Sequence, residues 1–219
     1  LCTFCGGYDR YSSRLQICRS CLPKIKDDHK SKRCKVCQSL VIDISCDFCG
    51  SRNIFFERME YLYLRDSFHK DIINRIKFGD QPYLNNYFRL GLNKKWKTFN
   101  FPRFTFFCSI PSNASTLKKR PISPISSVEY ILNQRYGIIK EEFLIKISGE
   151  NQSGKSYPDR FFHARNSMKI KEKFMGKISG NVLLVDDIFT TGATMNEASR
   201  ILMENGANAV YLLALLRGE

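Results

Sequence analysis

Hydrophobic positions along most of the chain switch between strand-like alternation and helical spacing. Residues 58–65 read R-M-E-Y-L-Y-L-R, an alternating and aromatic-rich strand pattern. Residues 67–78 then place Phe68, Ile72, Ile73 and Ile76 at helical spacing, with Gly79 as the stop. Pro82 opens a second helical stretch over 83–95, with Leu84, Tyr87, Phe88 and Leu92 inward. Residues 104–110 form a buried strand that carries Cys108 as a small core hydrophobe. A helix over 126–136 has a capping-box spacing at Ser126 and Glu129 and Gly137 beyond its end. A strand follows over 142–147, a short helix over 158–166, and a linker of weak strand character over 168–175. The run 182–185 is a short, wholly apolar strand. A helix over 195–205, stopped by Gly206, leads to a last apolar strand over 209–216. Strands alternating with helices over 104–216 predict a parallel sheet covered on both faces. Such sheets bind ligands at the carboxyl ends of their strands.

The first 55 residues carry no such alternation; cysteines organise them instead. Eight of the nine cysteines form four C-x-x-C pairs: Cys2/Cys5, Cys18/Cys21, Cys34/Cys37 and Cys46/Cys49. Two thiolates at this spacing grip one tetrahedral metal, and a second pair completes a four-cysteine shell. Disulfides would need an oxidising compartment, and redox chemistry would need a thioredoxin-like βαβ surround. Two structural zinc sites are therefore expected, with sequential pairing favoured and interleaved pairing left open. A full shell of four thiolates has no open coordination position, and so short a segment would draw much of its folding energy from the metal. The expected boundary places a double zinc-ribbon domain at 1–55 and an α/β domain at 56–219.

Composition sharpens this picture. The chain of 219 residues is 43% hydrophobic, enough for one medium domain plus a small one. No apolar run approaches the roughly 18 residues of a membrane span, and no signal-peptide pattern opens the chain, so a cytoplasmic protein is the expectation. The formal charge is +14. Each tetrathiolate zinc site carries a net −2, so two of them lower that charge to +10, still basic enough to favour nucleotides, pyrophosphate or nucleic acid.

The stretch 182–194 concentrates the chemistry. It reads V-L-L-V-D-D-I-F-T-T-G-A-T: strand, paired carboxylates, then a small hydroxyl-rich turn that enters a helix. Thr194 and Glu197 have capping-box spacing. The amide groups and positive dipole end of such a helix suit an anion, and small residues let the backbone close around it. Asp186 and Asp187 repel phosphate and suit sugar hydroxyls or a divalent cation beside it. A ribose 5-phosphate carrying further phosphate and Mg2+ satisfies both halves. An ordinary strand and capped helix would explain the apolar run, but not the acidic pair followed by T-T-G-A-T.

All thirteen positions resemble the phosphoribosyl-pyrophosphate (PRPP) motif of type I phosphoribosyltransferases. That resemblance implies that Asp186 and Asp187 hold the ribose hydroxyls and that Thr190, Thr191, Gly192, Ala193 and Thr194 wrap the 5′-phosphate. The order of the remaining features resembles the ComF family. These are the cysteine array, the helix ending D-I-I-N-R-I-K-F-G at Gly79, a proline loop at Pro111, Ser112 and Asn113 followed by Lys118 and Arg120, and Gln152, Gly154, Ser156, Asp159, Arg160, Arg165 and Asn166. It implies a type I phosphoribosyltransferase fold behind a zinc ribbon. The proline loop with Arg120 would face pyrophosphate, and a lid carrying Lys155 and Arg160 would close over it. The family's usual R-G-F-N-Q is changed here: proline stands for the glycine at Pro121, and Ser123 and Pro124 replace the Asn and Gln.

Residues 149–156 also satisfy the P-loop pattern G-x-x-x-x-G-K-S. Pro158 falls where the second turn of a P-loop helix must form, and only 63 residues follow Ser156, too few for that sheet. The family is linked to uptake of transforming DNA, which implies single-stranded DNA and the uptake machinery as partners. Two readings remain open. One is an enzyme that transfers ribose 5-phosphate from PRPP with Mg2+. The other is a PRPP-responsive, DNA-binding or regulatory protein without turnover. The clusters Lys94-Lys95-Trp96-Lys97 and Lys118-Lys119-Arg120 fit the second, although packing is the preferred role for Trp96.

Overall fold

A computed structural model describes residues 1–22, 32–41, 46–112, 122–147 and 167–218. The elements run β1 (Arg58–Leu64), α1 (Ser67–Phe78), α2 (Asn85–Lys95), β2 (Phe106–Ser109), α3 (Ser126–Gln134), β3 (Ile139–Lys140), β4 (Leu144–Lys146), β5 (Met168–Ile170), β6 (Asn181–Phe189), α4 (Ala193–Glu204) and β7 (Ala209–Arg217). Five strands make one sheet in the order β1-β7-β6-β2-β3, and every pairing in it is parallel.

Alternation along β6 explains why its middle is apolar throughout. Leu183 and Val185 join a cluster with Ile72, Ile73 and Ile76 of α1, Phe88 and Leu92 of α2, and Val128 and Leu132 of α3. Val182 and Leu184 join a separate cluster with Met195, Ala198, Ile201 and Leu202 of α4. Both faces are therefore covered, and a strand buried on both sides must be hydrophobic at every position. The fold class expected from the sequence is the observed one: a parallel α/β sheet with helices on both faces, preceded by two four-cysteine clusters.

The two clusters dock on different faces. Leu15 and Ile17 enter the α1–α2–α3 layer, and Phe4 stacks on Phe68 of α1 at a ring separation of 5.1 Å. Cys37 enters the α4 layer, where the Met59 amide donates to the Val36 carbonyl at 2.7 Å.

Several expectations need correction. The strand over 142–147 does not join the main sheet. β3 already takes the edge beside β2, so β4 pairs antiparallel with β5 in a small ladder of its own, Leu144 opposite Ile170. Neither capping box forms. α3 starts so that Ile125 is its N-cap and Ser126 lies inside, with its hydroxyl accepting from the Asn85 side chain at 3.1 Å. α4 starts one residue before Thr194, which leaves Gly192 at its N-cap, and Glu197 pairs with Arg200 at 2.6 Å. Asp66 does cap α1, accepting from the His69 amide at 2.8 Å. Trp96 packs on Tyr136 at 4.5 Å, and the Lys95 ammonium donates to the Leu62 carbonyl at 2.6 Å. That part of the basic cluster serves packing. Among the described residues, no helix is long and apolar enough to cross a membrane.

Candidate functional site

Sheet connectivity creates the crevice. From β2 the chain runs through α3 to β3 on one side, whereas β6 runs through α4 to β7 on the other. The order reverses between β2 and β6, and ligands of open α/β sheets bind outside the carboxyl ends at such a switch point. The ladder between these strands stops at Ser109 opposite Val185, closed by the Ile110 amide donating to the Val185 carbonyl at 3.1 Å. On its other side β6 stays paired to β7 as far as Phe189 opposite Arg217. From Asp186 onward β6 is thus held by β7 alone. The acidic pair lies within a nine-residue strand, not beyond a four-residue one, because β7 continues the pairing where β2 ends.

The carboxylates sit in unequal surroundings. The Asp187 amide donates to Asp186 Oδ1 at 2.8 Å, and Lys77 Nζ pairs with Asp187 Oδ2. Burial, reinforced by the negative charge of Asp187, pushes the Asp186 carboxyl up to about 7, while Lys77 and Lys146 pull against that rise. Burial also lowers Lys146, which Asp186 in turn raises. Sequence reasoning missed both lysines. Lys77 lies one helical turn after Ile73 and directly follows Ile76, so it extends the buried face of α1; a lysine there was the available signal. Lys146 ends β4, a strand visible in the sequence whose pairing with β5 was not.

After Phe189 the chain turns through exposed Thr190 and half-buried Thr191 into Gly192, at φ +66°. A Cβ on Gly192 would lie 2.5 Å from the Phe189 ring and 2.7 Å from the Phe48 ring, so glycine is required by both conformation and space. The Gly192 carbonyl accepts the first helical bond, from the Asn196 amide at 2.8 Å. Gly192 has no side chain to cap the helix, and Thr191 Oγ1 accepts weakly from the Ala193 amide at 3.5 Å. α4 begins four residues after Phe189, the end of β6, so its dipole end follows the carboxylates along the chain. Pro111 and Ser112 leave the carboxyl end of β2, on the other side of the crevice. Ser109, the last residue of β2, donates to Glu129 Oε1 at 2.5 Å, and Lys140 pairs with the other oxygen at 2.8 Å. Asn113, Lys118, Arg120, Lys155, Arg160 and Arg165, with the P-loop-like run 149–156, lie outside the described residues.

The eight cysteines of the four pairs gather sequentially: Cys2, Cys5, Cys18 and Cys21 in one cluster, Cys34, Cys37, Cys46 and Cys49 in the other. Within each, the Sγ atoms lie within 4.8 Å of one another. Close pairs are Cys5–Cys18 at 3.5 Å, Cys37–Cys46 at 3.5 Å and Cys34–Cys49 at 3.8 Å. Tetrahedral zinc with Zn–S of about 2.3 Å separates its sulfurs by about 3.8 Å, so both clusters fit that ion.

The fold and crevice define a parallel α/β protein with an acidic pair beside a helix N-terminus, led by two four-cysteine clusters. No family model matches the chain. It is 26% identical over 216 residues to the competence protein ComFC of Bacillus subtilis, covering 92% of this chain and 84% of that protein. It is also 26% identical over 151 residues to ComFC of Streptococcus pneumoniae, covering 68% of this chain but only 63% of that relative's length. A 34-residue segment is 56% identical to the ribose-phosphate pyrophosphokinase of Aeropyrum pernix, covering 16% of this chain and 11% of that enzyme. Two solved structures overlap loosely. The allosteric regulatory enzyme of purine biosynthesis has a TM-score of 0.38 at 18% identity, over 65% of this chain and 30% of that one. The adenine phosphoribosyltransferase of Leishmania tarentolae has a TM-score of 0.35 at 17% identity, over 64% and 73%. The likeness to ComFC of Bacillus subtilis runs nearly end to end, and the two ComFC relatives together support membership of the ComF family.

Proposed function

We propose that this chain is a phosphoribosyltransferase-like protein of the ComF type that binds PRPP with Mg2+, transfers ribose 5-phosphate to an acceptor and acts in competence. The observation that carries the reading is the join of Asp186-Asp187 to the Gly192 turn at the switch point between β2 and β6. A sugar carrying a 5′-phosphate has hydroxyls for the carboxylates and an anion for the helix end. Residues 190–194 would take the 5′-phosphate, and Pro111, Ser112, Asn113, Arg120, Lys155 and Arg160 would line the pyrophosphate side. Mg2+ would bring charge neutralisation to the diphosphate, and Asp186 and Asp187 are hard oxygen donors of the kind it takes. Loss of pyrophosphate leaves positive charge on the ribose, which the same two carboxylates would stabilise. Two structural zinc ions in the four-cysteine clusters complete the assignment. The partners proposed from the relatives' names are components of DNA uptake, with single-stranded DNA as the nucleic acid.

Calorimetric titration with Mg2+ and PRPP tests the binding, and pyrophosphate release in the presence of bases or single-stranded DNA tests the transfer. Wild-type binding that disappears when both aspartates become alanine is expected. Unchanged affinity in that double variant overturns the reading. Binding without release would assign the responsive, non-catalytic role, which the replacement of the family's R-G-F-N-Q residues at Pro121, Ser123 and Pro124 favours.

A further inference from the structure

The two four-cysteine clusters contain a matched pair of aromatics. Each begins or ends with C-x-F-C, placing Phe4 between Cys2 and Cys5 and Phe48 between Cys46 and Cys49. They do different work. Phe4 packs on Phe68 of α1, with the Arg75 guanidinium 4.8 Å from its ring centre. Phe48 packs on Phe189 at 5.7 Å and sits against Gly192, the residue where the turn enters α4. The Arg52 guanidinium lies over the Phe48 ring at 4.0 Å and donates to the Thr191 carbonyl at 3.4 Å. Behind them Asn196 of α4 is bonded at both ends of its amide. It accepts from the Phe55 amide at 3.0 Å and donates to the Asn53 carbonyl at 2.9 Å. Arg217 adds a third tie, from Thr190 at 3.4 Å to Ser39 at 2.8 Å. Every residue of the turn from Phe189 to Gly192 is thus touched by, or tied through Arg217 to, the segment 36–56.

We propose that the second four-cysteine knuckle is a splint for this turn, with Phe48 and Arg52 as positioning residues that preset its backbone amides for a sugar phosphate. This deepens the PRPP reading and rests on it for the ligand. The knuckle holds a short turn in one shape before the ligand arrives, so less ordering remains to be done on binding. Metal held by Cys34, Cys37, Cys46 and Cys49 then supports ligand affinity through Phe48, whereas metal at the other cluster supports α1.

The test uses the full zinc-loaded chain with Phe48→Ala, Arg52→Ala, Arg52→Lys and Phe4→Ala, all of which keep the eight cysteines. Hydrogen exchange of amides 189–196, PRPP affinity and the urea midpoint are read together. Phe48→Ala and Arg52→Ala should raise exchange in that segment and weaken PRPP by about tenfold each, a change of about 1.4 kcal/mol. Arg52→Lys, which keeps a donor for the Thr191 carbonyl, should restore most of both. Phe4→Ala should lower the urea midpoint while leaving loop exchange and affinity within about twofold. Cys46→Ser, checked by zinc content, should match Phe48→Ala. Wild-type loop exchange in Phe48→Ala and Arg52→Ala, or equal loop effects from Phe4→Ala, would overturn the splint. If the exchange pattern follows expectation while wild type takes no PRPP, the splint stands and the PRPP reading falls.

Discussion

Replacing Asp186 by asparagine should make the ligand-free protein more stable at pH 8 and remove its ligand binding. Burial raises this carboxyl from 3.8 to about 7. A carboxyl with a raised folded pKa binds its proton more tightly folded than unfolded. Its contribution is most favourable below about pH 4 and is lost as pH rises from there through about 7. The full rise of about three units corresponds to a ceiling of about 4 kcal/mol at pH 8, at 1.36 kcal/mol per unit. The asparagine side chain would keep an oxygen for the Asp187 amide and end the repulsion with Asp187, but forfeit the attraction of Lys77 and Lys146. A net gain of about 2 kcal/mol is expected, or about 4–8 °C in Tm for a chain of this size. Urea denaturation of both proteins at pH 4.5 and pH 8 measures it: the variant should gain at pH 8 and lose that advantage at pH 4.5. A variant no more stable than wild type at pH 8 would refute the claim that the site holds Asp186 against its solvation preference. On the proposed PRPP reading, wild-type affinity for Mg2+ and PRPP should fall as pH drops below about 7, because protonation would remove the charge that cation and ribose need.

Three further outcomes follow from contacts in the site and core. Lys77→Met removes a cation that pulls Asp186 down, so the pH midpoint of ligand binding should move upward; a midpoint that moved to lower pH would contradict the Lys77–Asp187 pairing. Gly192→Ala combines a positive φ, costing about 1–2 kcal/mol, with overpacking against Phe189 and Phe48, costing about 1–3 kcal/mol. A drop of at least about 2 kcal/mol in unfolding free energy, with loss of ligand binding, should appear in urea titration. Trp96→Ala should cost about 2–3 kcal/mol by loss of packing on Tyr136 and Phe101, read as a lower urea midpoint.

Much of this molecule was legible in one dimension. Ile72, Ile73 and Ile76, bounded by Gly79, gave the core-facing helix of 67–78, and the observed α1 is Ser67–Phe78. The parallel sheet followed from strands and helices in alternation, and the favoured sequential pairing of the cysteine knuckles is the one observed. The acidic pair and its turn were visible because strand, carboxylates, small residues and helix are contiguous, so their mutual geometry is set by neighbouring dihedrals. Hydrophobic period and motif spacing register such local order.

Contacts between distant residues left no comparable trace. β6 reaches Phe189 only because β7 continues beside it, and Ser126 and Thr194 fail as caps because their helices begin a residue earlier than their side chains suggest. Lys77 meets Asp187 across more than a hundred residues, and Arg52 reaches the Thr191 carbonyl across a separation of 139. The sequence by itself determined the main strands and helices, the cysteine knuckles and the place of the small turn after the acidic pair; it showed no strand at Ile139–Lys140 and read Met168–Ile170 as part of a linker. Only the tertiary structure decided which lysines answer the aspartates and which knuckle braces the turn. Those pairings arise from packing elements against a common sheet, and side-chain periodicity carries information about an element's own buried face, not about what lies opposite it.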